Sequence, residues 1–218
     1  MPSLLHEINV AFRKATFGMG CFWSCDSLFG GTKGVLRTRV GYSGGTALDP
    51  VYKKLGDHTE VIEIDYDPKT ISYEDLLKLF WNNHEYGLTT RIKRQYMSLI
   101  LYHDEEQKRM AEISMKREAQ ERNEQLITEI GPAGAFYPAE DYHQKYRLQG
   151  HTWLADAIGL TPSLLHSSYL AAKLNGYLVG IGGMEQFEEE VDKLGLTEKI
   201  ADYVRNELIK NKGGNLYC

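Results

Sequence analysis

Extended and helical runs alternate along the first part of the chain in an order that few folds accommodate. Residues 12–18 carry a short apolar run that ends in Gly-Met-Gly and reads as a strand feeding a turn. Helical spacing follows through Phe22, Cys25 and Phe29, with Gly30-Gly31 as its stop, and residues 35–42 are rich in β-formers. The order then returns. Residues 61–66 form a strand with Ile62, Ile64 and Tyr66 on one face, and Ser72 caps a helix carrying Leu76, Leu77, Leu79 and Phe80. Residues 96–102 are extended again. A long charged helix from the Asp104 cap to about Arg122 follows, with Met110, Ile113 and Met115 toward the inside, and a short strand at 127–130. Strand-helix-strand given twice, then a helix and a strand, predicts an α+β fold. It would be a two-layer sandwich whose core is a split βαβ (ferredoxin-like) unit, with helices mainly on one face of the sheet.

Beyond about residue 150 the pattern turns helical. Thr161-Pro162 opens one helix, and an amphipathic series runs through Phe187, Val191, Leu194, Leu196, Ile200, Val204 and Leu208. The expected division is a catalytic domain over 1–150, a helical C-terminal extension over 151–210 packed on it, and a flexible Gly-Gly tail over 211–218 that ends in Cys218.

No stretch approaches the roughly 18 to 20 uncharged apolar residues of a membrane helix. The first residues lack the basic start and apolar run of a signal peptide. The expectation is a soluble, cytoplasmic chain, with a nuclear address read by a partner left open. A net charge of -5, with scattered Lys and Arg, argues against a nucleic-acid partner. Three cysteines are too few for a secreted disulfide framework, so their interest is chemical.

A thiol attacks as its thiolate, and the first turn of a helix favours that form through unpaired N–H groups and the helix dipole. The strand, glycine turn and helix around Cys21 would put it there. A buried structural cysteine is the competing reading. Phe22 and Trp23 follow the thiol directly and offer apolar ring faces, although core packing is the commoner use of aromatics.

Gly20-Cys21-Phe22-Trp23, Gly41-Tyr42-Ser43-Gly44-Gly45, Tyr52 and Glu60 resemble the A-type peptide methionine sulfoxide reductases. The match continues through Tyr66-Asp67-Pro68, Ser72-Tyr73, Phe80-Trp81-Asn82-Asn83-His84, Gln95-Tyr96 and Ala139-Glu140-Asp141-Tyr142-His143-Gln144, in unbroken order over roughly residues 15 to 147. The resemblance implies that Cys21 attacks the sulfoxide sulfur and that Phe22 and Trp23 cradle the substrate methyl. It places Tyr52, Tyr96 and Glu60 around the sulfoxide oxygen. The chemistry asks for such types, because a poor leaving oxygen needs a proton as the thiolate attacks, and a neutral carboxylic acid can supply it.

Attack would leave a sulfenic acid on Cys21 for a second thiol to resolve. Cys218 is the first choice, since the segment from Gly213 can span up to about 20 Å and many relatives carry recycling cysteines on a glycine-rich tail. Cys25, four residues along the helix, is the alternative, alone or in relay. A bond from it to Cys21 requires local unwinding, since side chains at that spacing are too far apart for a disulfide. The resemblance further implies the S epimer as substrate, free or protein-bound, thioredoxin as reductant, and no cofactor or metal; a monomer is expected. Two departures stand out: Arg91 where relatives commonly have an acid, and Asp26 where they carry Glu. A thiol peroxidase or redox sensor using Cys21 is the rival reading, and a metal module of Cys21, Cys25, His58 and His84 is weaker still because it lacks paired short-spaced cysteines.

Overall fold

The computed structural model describes residues 3–84, 86–214 and 216. Its sheet comprises β1 (Arg13–Met19), β2 (Val35–Ser43), β3 (Thr59–Tyr66), β4 (Ser98–Tyr102), β5 (Glu129–Pro132) and β6 (Tyr137–Pro138), in the spatial order β5-β4-β1-β3-β2-β6. β1 lies between β3 and β4 and is antiparallel to both, β2 is antiparallel to β3, and β5 joins β4 in parallel. The central order β4-β1-β3-β2 is that of two interleaved split βαβ units, as the alternation in the sequence requires.

Helices α1 (Phe22–Gly31), α2 (Tyr73–Asn82) and α3 (Glu105–Arg122) complete those units. Phe17, Ile62, Ile64, Tyr66 and Ile100 from the strands meet Phe29, Leu76, Phe80 and Ala111 from the helices in one buried cluster. The strand residues alternate, so the other face of the sheet carries the charges: Lys14 bonds Glu63 and Asp65, and Arg37 bonds Asp65. Ser72 and Asp104 cap α2 and α3 as their positions promised, each accepting from the backbone N–H three residues on.

Three details differ from the sequence-based expectation. The segment 96–102 starts as a 3-10 turn over Arg94–Tyr96 and becomes a strand only at Ser98. Ile113 is 55% exposed, because the inner stripe of α3 is Gln107, Ala111, Ser114 and Glu118; Ser114 lies inside to accept a hydrogen bond from Trp81 Nε1 (3.1 Å). The strand expected at 127–130 lies over Glu129–Pro132, and the short β6 after it was not expected.

The C-terminal block contains α4 (Tyr146–Gln149), α5 (Thr152–Ala157), α6 (Pro162–Ser167), α7 (Tyr169–Tyr177), α8 (Gly183–Leu194) and α9 (Glu198–Lys210). It has its own core of Leu148, Leu154, Leu170, Leu174, Phe187, Val204 and Leu208, among others. The long amphipathic series divides into α8 and α9 at Gly195, which takes a left-handed φ of 70°. Among the described residues no helix is long and apolar enough to cross a membrane.

The block does not merely rest on the sheet domain. α7 crosses α1 backbone to backbone, and a Cβ added to Gly176 would lie 2.3 Å from the Gly31 Cα. Buried Lys173 donates to the Thr32 carbonyl (2.7 Å) and Gln186 donates to the Gly31 carbonyl (2.8 Å), so the helical block caps the C-terminal end of α1. Because the contact is with backbone, no rotamer change can make room for a side chain there. Gly176→Leu is therefore expected to cost about 3 kcal/mol or more, read as a lowered urea midpoint. An unchanged midpoint would show that the two helices separate freely.

Candidate active site

In an antiparallel trio the end of one strand lies beside the starts of its neighbours. The order β4-β1-β3 therefore brings the exit of β1, the entry of β3 and the turn before β4 to one edge of the sheet. Those three places carry Cys21, Glu60 and Tyr96, which are far apart in sequence.

Between β1 and α1 the chain turns at Gly20, whose φ of +97° suits glycine and few others. Cys21 then takes the N-cap position of α1 with extended backbone (φ -60°, ψ 120°), and its side chain makes no capping hydrogen bond. The N-terminal N–H groups and the positive end of the dipole thus lie at its sulfur. The residue is half-buried and forms a disulfide. The thiol of Cys25, one turn along, is free, buried and aimed at the Cys21 carbonyl at 3.4 Å. Burial first, then the charges of Glu60 and Asp26, push the Cys25 thiol far up from its usual range, so it holds its proton. Cys218 lies outside the described residues.

Glu60 is 2% exposed. Its Oε1 accepts from Gln95 Nε2 (2.6 Å) and its Oε2 accepts from the Phe22 backbone N–H (3.2 Å), in the first turn of the cysteine's own helix. Desolvation raises this carboxyl to about 7 against those two bonds, which favour the charged form. It is poised to give a proton near neutrality.

Tyr96 is raised to about 12, by burial first, then by Glu60 and by Tyr52, whose hydroxyl hydrogen-bonds with its own. The Tyr96 phenol thus keeps its proton and remains available as a donor. Tyr52 stands on the long loop between β2 and β3, and that loop is tied down. Asp57 accepts the Thr46 and Ala47 N–H groups (2.8 and 3.0 Å), and His58 bridges Gly45 N and the Ala47 carbonyl. Glu140 fixes Tyr52 itself, accepting its backbone N–H (3.0 Å) and the Tyr42 hydroxyl (2.7 Å).

The aromatic wall has two parts. The Phe22 ring is buried against Tyr42 and His143, with centroids at 6.0 and 5.1 Å. Half-buried Trp23 stacks flat on Tyr146 (3.8 Å, 3°) and donates from Nε1 to His143 Nδ1 (3.1 Å). That bond leaves the proton of the neutral imidazole on Nε2, and burial keeps His143 below its usual range. A cleft of about 1040 Å³ joins these groups, lined by Cys21, Trp23, Tyr52, Glu60 and Tyr96. Leu216, near the other end of the chain, lines the same cleft.

Several contributors had no assigned role in the sequence reading. Gln95, Glu140, His143 and Tyr146 hold Glu60, Tyr52 and Trp23 in place. All lie at or beside the quoted motifs, which is the one signal that could have pointed to them. Asp26 is fully buried, accepts from Thr38 Oγ1 (2.5 Å) and the Lys145 N–H (2.8 Å), and pairs with buried Lys145. It anchors the 140–145 segment beneath α1. Arg91 is exposed. The imidazoles of His58 and His84 are both engaged in hydrogen bonds, and among the described residues no three His, Cys, Asp or Glu side chains form a metal-holding group.

The sequence model of the peptide methionine sulfoxide reductases matches residues 13–161. The chain belongs to that family. A second model, the helical domain of selenoprotein methionine sulfoxide reductase A, matches residues 159–210, which places the chain in the A branch and accounts for its C-terminal helices. A peptide methionine sulfoxide reductase of Drosophila melanogaster is 59% identical over 99% of this chain and 88% of its own length. An archaeal MsrA of Methanococcus maripaludis is 45% identical over 61% of this chain and 89% of its own. Among solved structures, methionine sulfoxide reductase A of Corynebacterium diphtheriae superposes with a TM-score of 0.57 at 27% identity, covering 69% of this chain and 82% of that one. The protein is accordingly an oxidoreductase acting on methionine sulfoxide, built as an α+β sheet domain with a helical C-terminal region.

Proposed function

We propose that the protein reduces the S epimer of methionine sulfoxide, free or protein-bound, through a sulfenic acid on Cys21, with Cys218 as the resolving thiol and thioredoxin as the reductant. The observation that carries this reading is one shared helix turn. The nucleophile is the N-cap of α1, and the next N–H binds a carboxyl raised to about 7. The Cys21 thiolate attacks the sulfoxide sulfur while Glu60 gives its proton to the departing oxygen, with the Tyr52 and Tyr96 hydroxyls donating to that oxygen. The protonated oxygen then passes from the substrate sulfur to the Cys21 sulfur as the sulfur–oxygen bond and the transient bond between the two sulfurs break, so that methionine leaves reduced and Cys21 is oxidised to its sulfenic acid. A second thiol displaces the hydroxyl as water and closes a disulfide. A dithiol then returns both cysteines to thiols and is itself oxidised. Trp23 and Phe22 supply the apolar side on which the substrate methyl rests.

For the resolving step the two candidates differ in physical character. Cys25 is a free thiol, buried and held protonated, in the same structure in which Cys21 is in a disulfide. An attacking thiol needs exposure and thiolate character, and Cys25, although it borders the cleft, is buried and keeps its proton. That leaves Cys218, on its glycine tether, as the better-suited group. With thioredoxin as reductant, Cys218→Ser is expected to release one equivalent of methionine per enzyme and then stop, whereas Cys25→Ser keeps turning over within about twofold. The reverse pattern would assign resolution to Cys25.

A further inference from the structure

The helical block ends beside the active-site cleft, and the way its last turn is held gives that block a role in the recycling half of the cycle. Asn211, the C-cap of α9, donates from Nδ2 to the carbonyls of Leu178 (3.0 Å) and Glu207 (3.1 Å). The chain then turns back, with Gly214 N–H bonded to the Asn211 carbonyl (3.0 Å) and left-handed backbone at both Gly213 and Gly214. It crosses the connection between α7 and α8 so closely that a Cβ on Gly180 would lie 2.0 Å from the Asn211 oxygen. Gly180 has φ +85°, so neither the space nor the backbone there admits another residue readily.

The next residue along that connection, Ile181, lies against Gly31 at the C-terminal end of α1 and also faces Gly214. From there the cleft is lined along α1 by Leu28, Cys25 and Cys21, one residue per turn of a single face, and Leu216 packs into the same cluster as Leu28 and Cys25. The final segment therefore leaves its anchor at the far end of the nucleophile's helix. α1 rises about 15 Å over its ten residues. Four residues beyond Gly214 can extend about 13 to 14 Å. The two lengths match.

We propose that the α7–α8 connection is a docking track that sets the reach of the C-terminal thiol, with Asn211 as the clip that fixes its origin and Leu216 as the side chain that seats it along α1. Both are positioning residues. They touch no reacting atom; they raise the local concentration of the terminal thiol at the Cys21 sulfenic acid above what a free tether gives. This rests on the assignment of Cys218 as the resolving thiol. The step that they assist is the one written above, in which a thiol and a sulfenic acid give a disulfide and water.

The experiment separates the two half-reactions. Reduced enzyme is mixed with methionine sulfoxide, and methionine release and loss of free thiol are followed in a single turnover. For Asn211→Ala, methionine release is expected at the wild-type rate and amplitude, whereas the subsequent thiol loss slows about tenfold. Leu216→Ala is expected to slow thiol loss by a similar factor. Thioredoxin-driven kcat should fall in step for Asn211→Ala and be restored when a small dithiol that reduces the sulfenic acid directly replaces thioredoxin. A merely structural role for Asn211 would lower the methionine burst as well, which would overturn the inference. Wild-type thiol loss in both variants, with Cys218→Ser unable to close its disulfide, would overturn the track alone. Normal disulfide closure in Cys218→Ser would overturn the resolving assignment and the track with it.

Discussion

Cys21→Ser is expected to release no methionine above background, a fall of at least about a thousandfold in single-turnover as well as steady-state assays. A serine hydroxyl is not ionised at the helix N-terminus at neutral pH, and an alkoxide oxygen is a poor match for the polarised sulfur of a sulfoxide. Among the described residues the neighbouring thiol, Cys25, cannot substitute. Cys25 is buried and its proton is held by desolvation and by the charges of Glu60 and Asp26, so it supplies no thiolate to the cleft. Compared with the reduced enzyme, in which no disulfide is lost, the loss should occur without unfolding, because the Cys21 side chain makes no capping bond to α1 and the turn before it is set by Gly20. Far-UV circular dichroism of the variant checks this. Residual methionine release from a well-folded Cys21→Ser would show that another group attacks. Rapid oxidation of the wild type by peroxide with no methionine formed would instead favour the redox-sensor reading.

The legibility of this chain divides according to whether a residue acts within its own segment or across the sheet. Periodicity located β1 to β5 and the first three helices, and the Ser72 and Asp104 caps were readable because a cap acts within four residues. The position of Cys21 was readable for the same reason: strand, glycine turn and helix are contiguous. Glu60 was different. Alone, it is a charge near the start of a strand. Its burial and its bonds to Gln95 and Phe22 exist only because β3 starts where β1 ends. Without the family resemblance nothing singled it out. Glu140 and His143 stayed without roles because they act on Tyr52 and Trp23 from 88 and 120 residues away. α7 left no amphipathic signal because it is buried all round, including Lys173 and Asn175, whose polar ends are met by Thr32, Ser27 and Leu148. Ile113 misled because the inner face of α3 is set by Ala111 and Ser114, small enough to sit against Trp81.

Glu60→Gln separates catalysis from stability, and the two should move in opposite directions. As proton donor, Glu60 works in its protonated form, so the alkaline limb of the wild-type rate should fall as pH rises through about 7. The amide cannot deliver that proton, so the variant should be about a hundredfold to a thousandfold slower at pH 6.5 and should lose this limb. The stability sign is the reverse. The folded protein raises this carboxyl from 4.5 to about 7, so it binds the proton more tightly folded than unfolded. That stabilisation is complete below about pH 4.5 and is lost as pH rises to about 7, where folding must carry a desolvated charge. Glutamine carries none, and its carbonyl can still accept from the Phe22 N–H while Gln95 turns its own amide to suit. The variant's advantage in urea midpoint over the wild type should therefore be absent near pH 4.5, grow with pH, and level off above 7 at up to about 3 kcal/mol. A purely structural Glu60 would lose stability and activity together, by amounts indifferent to pH. A slower but more alkali-stable Glu60→Gln is what a carboxyl held neutral for proton delivery requires, because the burial that makes it an acid is the same burial that opposes its charge.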